Sequence, residues 1–289
     1  MTERIIDIAT GEDRTDKYLT PILKEDYDKY LDNKKIKENI EFWKNRTPDI
    51  CGKFFWIPYT PGVSLSKELS NLDSATLARF LFCCSYRSAD GFLTKSSRKD
   101  GKPLAPKDLQ ALMGLSDSAA RKCFKPLFEN GLLILRDGSI YPNPEVISRG
   151  NIKQTKYDVN SKKIRGFYNG IQTLFEKCRD PRQHKAVGYI YKLIPWVNIN
   201  YNILCSNPLE DELDKIVPLS TKEILTILGL ATDKPKQFFD GIAQISPYIF
   251  LAPSHNANML GVHILLYYGG SWDISYQVAK LIPYYSQNL

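Results

Sequence analysis

The sequence lacks the segments that would place a chain in a membrane or direct it out of the cell. No apolar run approaches the roughly 20 residues that a membrane-spanning helix requires. Residues 1–18 are charged and lack the apolar core of a signal peptide. We therefore expect an intracellular protein.

Motifs of catalytic and metal centres are also missing. The three histidines form no HxH pair, no HxxR motif precedes the C-terminal tyrosines, and no GxxxxGKS or GxxxxGKT phosphate loop occurs. The ligands of a metal-dependent nickase, the arginines of a tyrosine recombinase and the loop of an NTPase are thus absent. We predict no enzymatic activity, no cofactor and no metal, with His184 structural and His255 a solvated turn residue.

Cysteine is present without any spacing that suggests a metal site or a disulfide framework. The six cysteines include no CxxC pair. Cys83 and Cys84 lie within an apolar run, so we expect buried free thiols and no vicinal disulfide. This usage fits a reducing compartment, and the prediction is a cytoplasmic protein.

Excess positive charge is confined to one part of the chain. Residues 1–85 hold 13 basic and 14 acidic residues, and residues 166–289 hold 10 of each, whereas residues 86–165 hold 16 basic and 8 acidic residues. A phosphate backbone attracts such concentrated positive charge through the release of counterions. The alternative is a solvated basic face that has no ligand.

The basic region surrounds a pattern of two short helices and a hairpin, residues 103–142. Leu104, Leu109, Leu112 and Met113 predict the apolar stripe of a first helix, which Gly114 ends. Ser116 or Asp117 then supplies the N-cap of a second helix. A strand at 132–135 follows, and Asp137-Gly138 is a hairpin signal that turns the chain into a return strand. A short strand at 92–94 is predicted ahead of the motif. Helix, turn, helix and two-stranded wing is the pattern of a winged helix-turn-helix, in which the second helix enters the DNA major groove.

The predicted second helix has one apolar and one polar face. Ala119, Ala120, Cys123, Phe124, Leu127 and Phe128 are predicted to face inward, and Ser118, Arg121, Lys122 and Lys125 outward. Arginine and lysine favour guanine edges in the major groove, while wing and loop cations contact phosphate. The candidate DNA-binding residues are Ser116, Ser118, Arg121, Lys122, Lys125, Arg136, Ser139, Lys95, Arg98, Lys99, Lys102, Lys107, Lys234, Lys236 and Gln237.

The motif recurs after a shift of 115 residues. Pro103-Leu104 matches Pro218-Leu219, Leu112-Met113-Gly114-Leu115 matches Ile227-Leu228-Gly229-Leu230, and Phe124 matches Phe239. The surrounding elements agree as well, so we predict two winged helices in tandem. The second carries no net charge and is rich in aromatic residues near its end. Three roles stay open for it: weak contact with a second DNA segment, dimerisation, or docking of another protein.

These observations predict a mainly α fold with small β-wings (α+β). The predicted domains are an N-terminal charged helical extension or arm (1–65), a basic DNA-binding winged helix (66–150), a linker (151–166) and a second, neutral winged helix (167–289). Within the arm, 54–59 is predicted to be a strand or extended segment, and Pro58 argues against a central strand. A charged helix is predicted at 21–44, which either packs on the next domain or serves as a dimerisation or partner helix.

The chain resembles a known group of DNA-binding proteins. Two winged helices in tandem behind a charged N-terminal helix resemble the replication initiators of plasmids and phages. Residues 66–147 are also similar to winged-helix proteins encoded by mobile elements of low-GC Gram-positive bacteria. The resemblance implies a regulator of transcription or an initiator of replication that binds double-stranded DNA, with a homodimer as the default and a nucleoid-associated location. The alternative is an interaction protein whose winged helices are docking surfaces for protein partners.

Overall fold

The computed structural model describes residues 53–95, 101–149, 161–178, 180–233, 235–243, 249–253, 258–262 and 267–269. The predicted helix at 21–44, the end of the aromatic C-terminal segment, Arg98, Lys99, Lys234 and His255 lie outside these ranges. No helix among the described residues is both long and apolar enough to cross a membrane.

The described residues form a mixed α+β fold, which confirms the predicted class at that level. Below, residues 53–149 are called the first half and residues 161–269 the second half. In chain order the elements are β1 (Phe54–Thr60), β2 (Ser64–Leu65), α1 (Lys67–Ser70), α2 (Ser74–Cys84), α3 (Pro106–Leu112), α4 (Asp117–Glu129), β3 (Leu133–Arg136), β4 (Ser139–Pro142), β5 (Lys162–Phe167), α5 (Tyr168–Lys177), α6 (His184–Lys192), α7 (Thr221–Ile227), α8 (Lys236–Ala243), β6 (Ile249–Pro253), β7 (Asn258–Val262) and β8 (Tyr267–Tyr268), with 3₁₀ helices at Ile194–Trp196 and Leu213–Lys215.

The turn between α3 and α4 forms as the local sequence predicts. Gly114 has φ 62°, in the left-handed region where a side chain would be strained. Ser116 caps α4, because its Oγ accepts a hydrogen bond from the Ala119 amide at 3.4 Å. The side chain of Gln110 closes the turn: its Nε2 donates to Leu115 O at 3.1 Å and to Asp117 Oδ1 at 2.7 Å. These contacts fix the direction in which α4 leaves α3.

Two details of this region differ from the prediction. Leu104 precedes α3, because Pro106 begins the helix and the Leu104 amide instead donates to Leu93 O at 2.8 Å. The predicted strand at 92–94 is reduced to single bridges, Arg87 to Leu93 and Thr94 to Pro103. The hairpin β3–β4 is present, with Asp137 and Gly138 both at positive φ in its turn.

Elements of the first half recur in the second half in the same order. Gly229 has φ 65°, close to that of Gly114, and the Leu230 amide bonds Leu225 O as the Leu115 amide bonds Gln110 O. The bridge of Thr94 with Pro103 has its counterpart in Cys205 with Pro218. These shared contacts support the repeat predicted from the sequence.

One match of the repeat is wrong. Phe124 is buried, whereas Phe239 is 47% exposed. Two buried residues of α8, Phe238 and Ile242, correspond to Cys123 and Leu127 after the same shift. Both helices therefore bury the same two positions, and a phenylalanine at the neighbouring position belongs to the core in α4 alone.

A four-stranded sheet in the order β2-β1-β5-β8 joins the two halves. β1 lies within the predicted arm and β5 at the end of the predicted linker, and they pair antiparallel from Phe54–Phe167 to Tyr59–Lys162. The expectation that Pro58 argues against a central strand is wrong, because β1 lies between β2 and β5. The carbonyl of Pro58 points toward the β2 side of β1, where it accepts a hydrogen bond from Ser66 N at 3.2 Å. The amide nitrogen of a strand residue lies on the same side as its carbonyl, so the hydrogen that proline lacks would also point to this side. Because the paired residues of β2 end at Leu65, no hydrogen bond of the β1–β2 pairing is lost.

Most buried apolar side chains of the two halves form one continuous core. The helices α2 and α6 pack closely where Gly188 meets Ser74: a Cβ atom at Gly188 would lie 1.8 Å from Ser74 O. Only glycine permits this approach of the two backbones. This core includes residues from both sides of the predicted linker at 151–166. The division into separate domains stays a prediction.

Candidate nucleic-acid interface

Helix α4 divides its residues between core and solvent as the sequence predicts. Ala120, Cys123, Phe124 and Leu127 are buried, while Ala119 and Phe128 are half-buried at the margin. The opposite face is exposed and carries Ser118, Arg121, Lys122 and Lys125. Because α4 is anchored on one face, the backbone positions that carry its hydroxyl and three cations are fixed relative to one another.

The cations on α4 form few interactions with the rest of the described structure. Among the described residues, neither Arg121 nor Lys122 forms a hydrogen bond or an ion pair. Lys125 lies 3.8 Å from Glu129, with both side chains more than 60% exposed. An exposed pair of this kind contributes about 0.5 kcal/mol or less and is readily exchanged for another anion. The face is therefore available to a phosphate or to the acceptor edge of a base.

The remaining candidates of the first half have different positions. Lys107 is exposed on the first turn of α3, and Ser116 is occupied as the cap of α4. On the hairpin, Arg136 is exposed and Ser139 is half-buried. These residues flank α4 within one helix-turn-helix and hairpin unit, as predicted.

Two candidates from the basic loop border residues 96–100, which lie outside the described ranges. Lys102 is exposed next to Pro103. Lys95 is exposed too, but it lines a cleft with the C-terminal end of α2 and the start of α5. The structure thus brings Lys95 together with second-half residues, a grouping that the sequence analysis did not anticipate.

The second half contributes a basic groove that sequence reasoning missed. Lys236 on α8, a predicted candidate, lies beside Arg182 and Lys185 at the start of α6, in an open groove of about 560 Å³. Lys185 Nζ lies 5.9 Å from the ring centroid of Tyr189, and Asp240 is the carboxylate of the lining. The sequence contained one indication of this groove: Arg182 and Lys185 are three residues apart, a spacing that places two side chains on the same face of a helix. Gln237 belongs to α8 as well.

The described histidine has a structural position, as predicted. His184 is 1% exposed; its Nδ1 accepts from Arg79 Nε at 3.1 Å, and its Nε2 therefore carries the proton and donates to Cys178 O at 3.1 Å. Burial, together with the neighbouring Arg79 guanidinium, lowers the pKa of His184 to about 4. The ring is neutral at pH 7, and both of its nitrogens are hydrogen-bonded within the protein. The bond to Arg79 joins α2 to α6.

The cysteines behave as buried thiols. Cys83 and Cys84 are free and buried, as predicted, and so are Cys123, Cys178 and Cys205. Burial raises the pKa of Cys123 and of Cys178 to about 11 and that of Cys205 to about 12. All three are protonated at neutral pH, so they present no reactive thiolate. Within the described ranges, no group of three or more His, Cys, Asp or Glu residues could hold a metal ion.

The chemistry that the interface offers is the binding of anions and of hydrogen-bond acceptors. Its exposed groups are guanidinium, ammonium and hydroxyl groups on a rigid helix, with further cations on the hairpin and in the groove of α6 and α8. Comparison of the chain with protein-family models, with curated proteins and with solved structures finds no match.

Proposed function

We propose that this protein binds double-stranded DNA at specific sequences and that α4 enters the major groove. The observation that carries the proposal is the exposed face of α4, where Ser118, Arg121, Lys122 and Lys125 stand on a helix fixed from behind by its buried face. An α-helix fits the major groove, and arginine and lysine pair with the O6 and N7 acceptors of guanine. The face has the size and the donors that such an interaction requires.

The arrangement around α4 supports a winged helix-turn-helix. The Gly114 turn sets α3 against α4, and β3–β4 forms a hairpin directly after α4. In such a unit the hairpin cations contact the backbone and fix the register of the recognition helix. Arg136 has this role in the proposal, with Lys102 and Lys107 as further phosphate contacts.

The recurrence of the unit supports a tandem arrangement, with α7 and α8 as the second helix-turn-helix. Its groove of Arg182, Lys185 and Lys236 offers a second, weaker set of phosphate contacts. A homodimer would double the contacts on two half-sites. In this proposal the protein works in the cytoplasm on the DNA of a mobile element, as a transcriptional regulator or a replication initiator.

The test is the binding of the full chain to the DNA that surrounds its own gene. Fluorescence anisotropy is measured with random competitor DNA and across a series of salt concentrations. A protein that contacts about six phosphates loses roughly 1,000-fold in affinity between 50 and 200 mM salt. Competitor-resistant binding with such a slope is expected. Absence of binding at low salt would overturn the proposal.

A charge-matched pair of double variants assigns the binding to α4. Arg121→Ala with Lys122→Ala removes two cations from its exposed face. Lys67→Ala with Lys215→Ala removes two exposed cations from α1 and from the 206–218 loop. The first variant is expected to lose specific binding and the second to keep it. Equal losses would show that net charge, and not α4, carries the affinity.

A second candidate function is the docking of a protein partner. Three apolar side chains of the loop at 206–218 are exposed: Leu209 at 50%, Leu213 at 38% and Val217 at 55%. The loop is closed on itself, since Asn207 bonds both Lys215 O and the Val217 amide. A variant that replaces these three residues with serine separates the two functions, because DNA binding through α4 does not depend on them.

A further inference from the structure

A polar cleft of about 270 Å³ lies where the C-terminal end of α2 meets the N-terminal end of α5. Its walls come from both halves of the chain. Lys53, Arg87, Ser88 and Lys95 belong to the first half, and Tyr168 and Gln172 to the second. The cleft is separate from the exposed face of α4, none of whose candidate residues lines it.

The cleft is positively charged. Lys53, Arg87 and Lys95 line it, and no aspartate or glutamate does. Among the described residues, none of these three cations is paired with a carboxylate. Glu176 on α5 acts at the margin: together with burial it raises the pKa of Tyr86 to about 12. Three positive charges thus converge on a space that supplies no countercharge.

The carbonyl groups at the end of α2 are already occupied. Ser85 O accepts from Gln172 Nε2 at 2.9 Å, and Arg87 O accepts from the Tyr168 hydroxyl at 3.2 Å. The negative end of α2 is therefore neutralised by donors from α5. What the cleft offers to a ligand is mainly donors.

Two of these donors are buried and have no partner. Ser88 is 8% exposed, and neither its Oγ nor Arg87 Nε has a hydrogen-bond partner among the described residues. A buried polar group without a partner is costly, so it is uncommon unless something else satisfies it. The guanidinium is anchored at its other end, because Arg87 Nη1 donates to Ile147 O at 2.8 Å. A hydroxyl and a guanidinium Nε without partners, beside two lysines, are groups that bind phosphate oxygens.

We propose that this cleft binds the phosphate group of a small phosphorylated molecule. Arg87, Lys53 and Lys95 balance the charge of the phosphate, and the Ser88 hydroxyl, after rotation about its χ1 angle, donates to one of the phosphate oxygens. The volume of about 270 Å³ lies just below the usual range for small-molecule sites, about 300–1,000 Å³, which suits a phosphate with a small group attached. Because both halves line the cleft, its occupant stabilises their packing.

The proposal is tested on the full chain with inorganic phosphate, pyrophosphate and a panel of nucleoside 5′-monophosphates and diphosphates. Isothermal titration calorimetry and the shift in Tm report binding. At least one of these probes is expected to bind below about 10 mM and to raise Tm. No binding by any of them up to that concentration overturns the proposal.

Ser88→Ala is the decisive variant, because the hydroxyl makes no bond that the fold needs. Its Tm without ligand is expected to match that of the parent, and its affinity for phosphate to fall about 5- to 10-fold. Lys53→Met with Lys95→Met, both exposed, is expected to lower the affinity by about 5-fold or more. The control is Lys107→Met with Lys122→Met, which removes two cations elsewhere. Unchanged affinity in Ser88→Ala and in the Lys53/Lys95 variant overturns the proposal.

A DNA backbone could supply the same phosphate chemistry, and a competition arm distinguishes it. For a small ligand, duplex DNA does not displace the bound probe, and Ser88→Ala leaves DNA affinity unchanged. Displacement by duplex, with an equal loss of DNA binding in that variant, overturns the small-molecule proposal. If the double variant Arg121→Ala with Lys122→Ala still binds phosphate, phosphate binding in the cleft does not depend on DNA binding through α4.

Discussion

Arg79 on α2 donates its Nε hydrogen to Nδ1 of His184 on α6 across 3.1 Å, and so joins the two halves of the molecule. An arginine can only donate, so this bond requires a neutral imidazole with the proton on Nε2. That proton is in turn bonded to Cys178 O. Protonation of Nδ1 would remove the acceptor and place two positive charges face to face.

Stability is therefore expected to depend on pH through His184. Its pKa is about 4 in the folded chain against 6.5 ordinarily, so between these values the unfolded chain binds a proton that the folded chain does not. This contribution to the free energy of unfolding, about 3 kcal/mol, is complete above pH 6.5 and is lost as the pH falls toward 4. Urea unfolding of the parent and of His184→Asn, which retains an acceptor for Arg79, measures it. The difference between the two should vary with pH in this window; a constant difference would contradict the assignment.

Gly188→Ala is expected to destabilise the protein strongly. The new Cβ would lie 1.8 Å from Ser74 O, and backbone atoms of two packed helices have no room to yield. We expect a loss of about 3 kcal/mol or more in the free energy of unfolding. Gly241→Ala, in α8, is the matched control: its Cβ would lie 3.3 Å from Ala186 Cβ, and the change should stay within about 1 kcal/mol. Similar losses in both variants would refute the close packing of α2 on α6.

Arg121→Ala is expected to weaken binding to a specific site by about 1–3 kcal/mol and to relax its sequence preference. The physical reason is the loss of donors to a base edge. Arg136→Ala, on the hairpin, should instead weaken specific and random DNA alike and lower the salt slope by about 1. Anisotropy on both kinds of DNA distinguishes the two effects. If Arg121→Ala lowered both affinities equally, α4 would not read the sequence.

Gly229→Ala tests the turn of the second helix-turn-helix. Its φ is 65°, and a Cβ there would meet nothing within 4 Å, so the backbone conformation is the only source of strain. We expect a loss of about 1–2 kcal/mol for alanine and less for asparagine, which tolerates this region better. Thermal and urea unfolding of the two variants provide the measurement. Equal stability of Gly229→Ala and the parent would show that the turn adopts another conformation.

Local features of the fold were predictable from the sequence because they depend on neighbouring residues. The turn at Gly114, the cap at Ser116 and the hairpin at Asp137-Gly138 follow from backbone preferences. The pairing of β1 with β5 was not predicted, since it joins segments about 100 residues apart. The exposure of Phe239 likewise depends on tertiary packing. The repeat alignment, which matched Phe239 with Phe124, carries no information about that packing.

The candidate site divides in the same way. The exposed face of α4 follows from helical periodicity, and its cations were identified from the sequence. The groove combines Arg182 and Lys185 with Lys236, and the cleft combines Lys53 and Arg87 with Tyr168. Each set comes from separate segments, so only the folded chain brings its members together.

The pairing of Tyr59 with Lys162 has a consequence for synthesis on the ribosome. Every residue between β1 and β5 must be made before β1 gains that neighbour, and at 5–20 residues per second the delay for roughly 100 residues is about 5–20 s. Throughout this time the edge of β1 that pairs with β5 has no neighbouring strand. Phe55 and Ile57, which are fully buried in the folded chain, lack their contacts with the second half. During this interval the unpaired edge of β1 is open to pairing with another chain, until β5 is available.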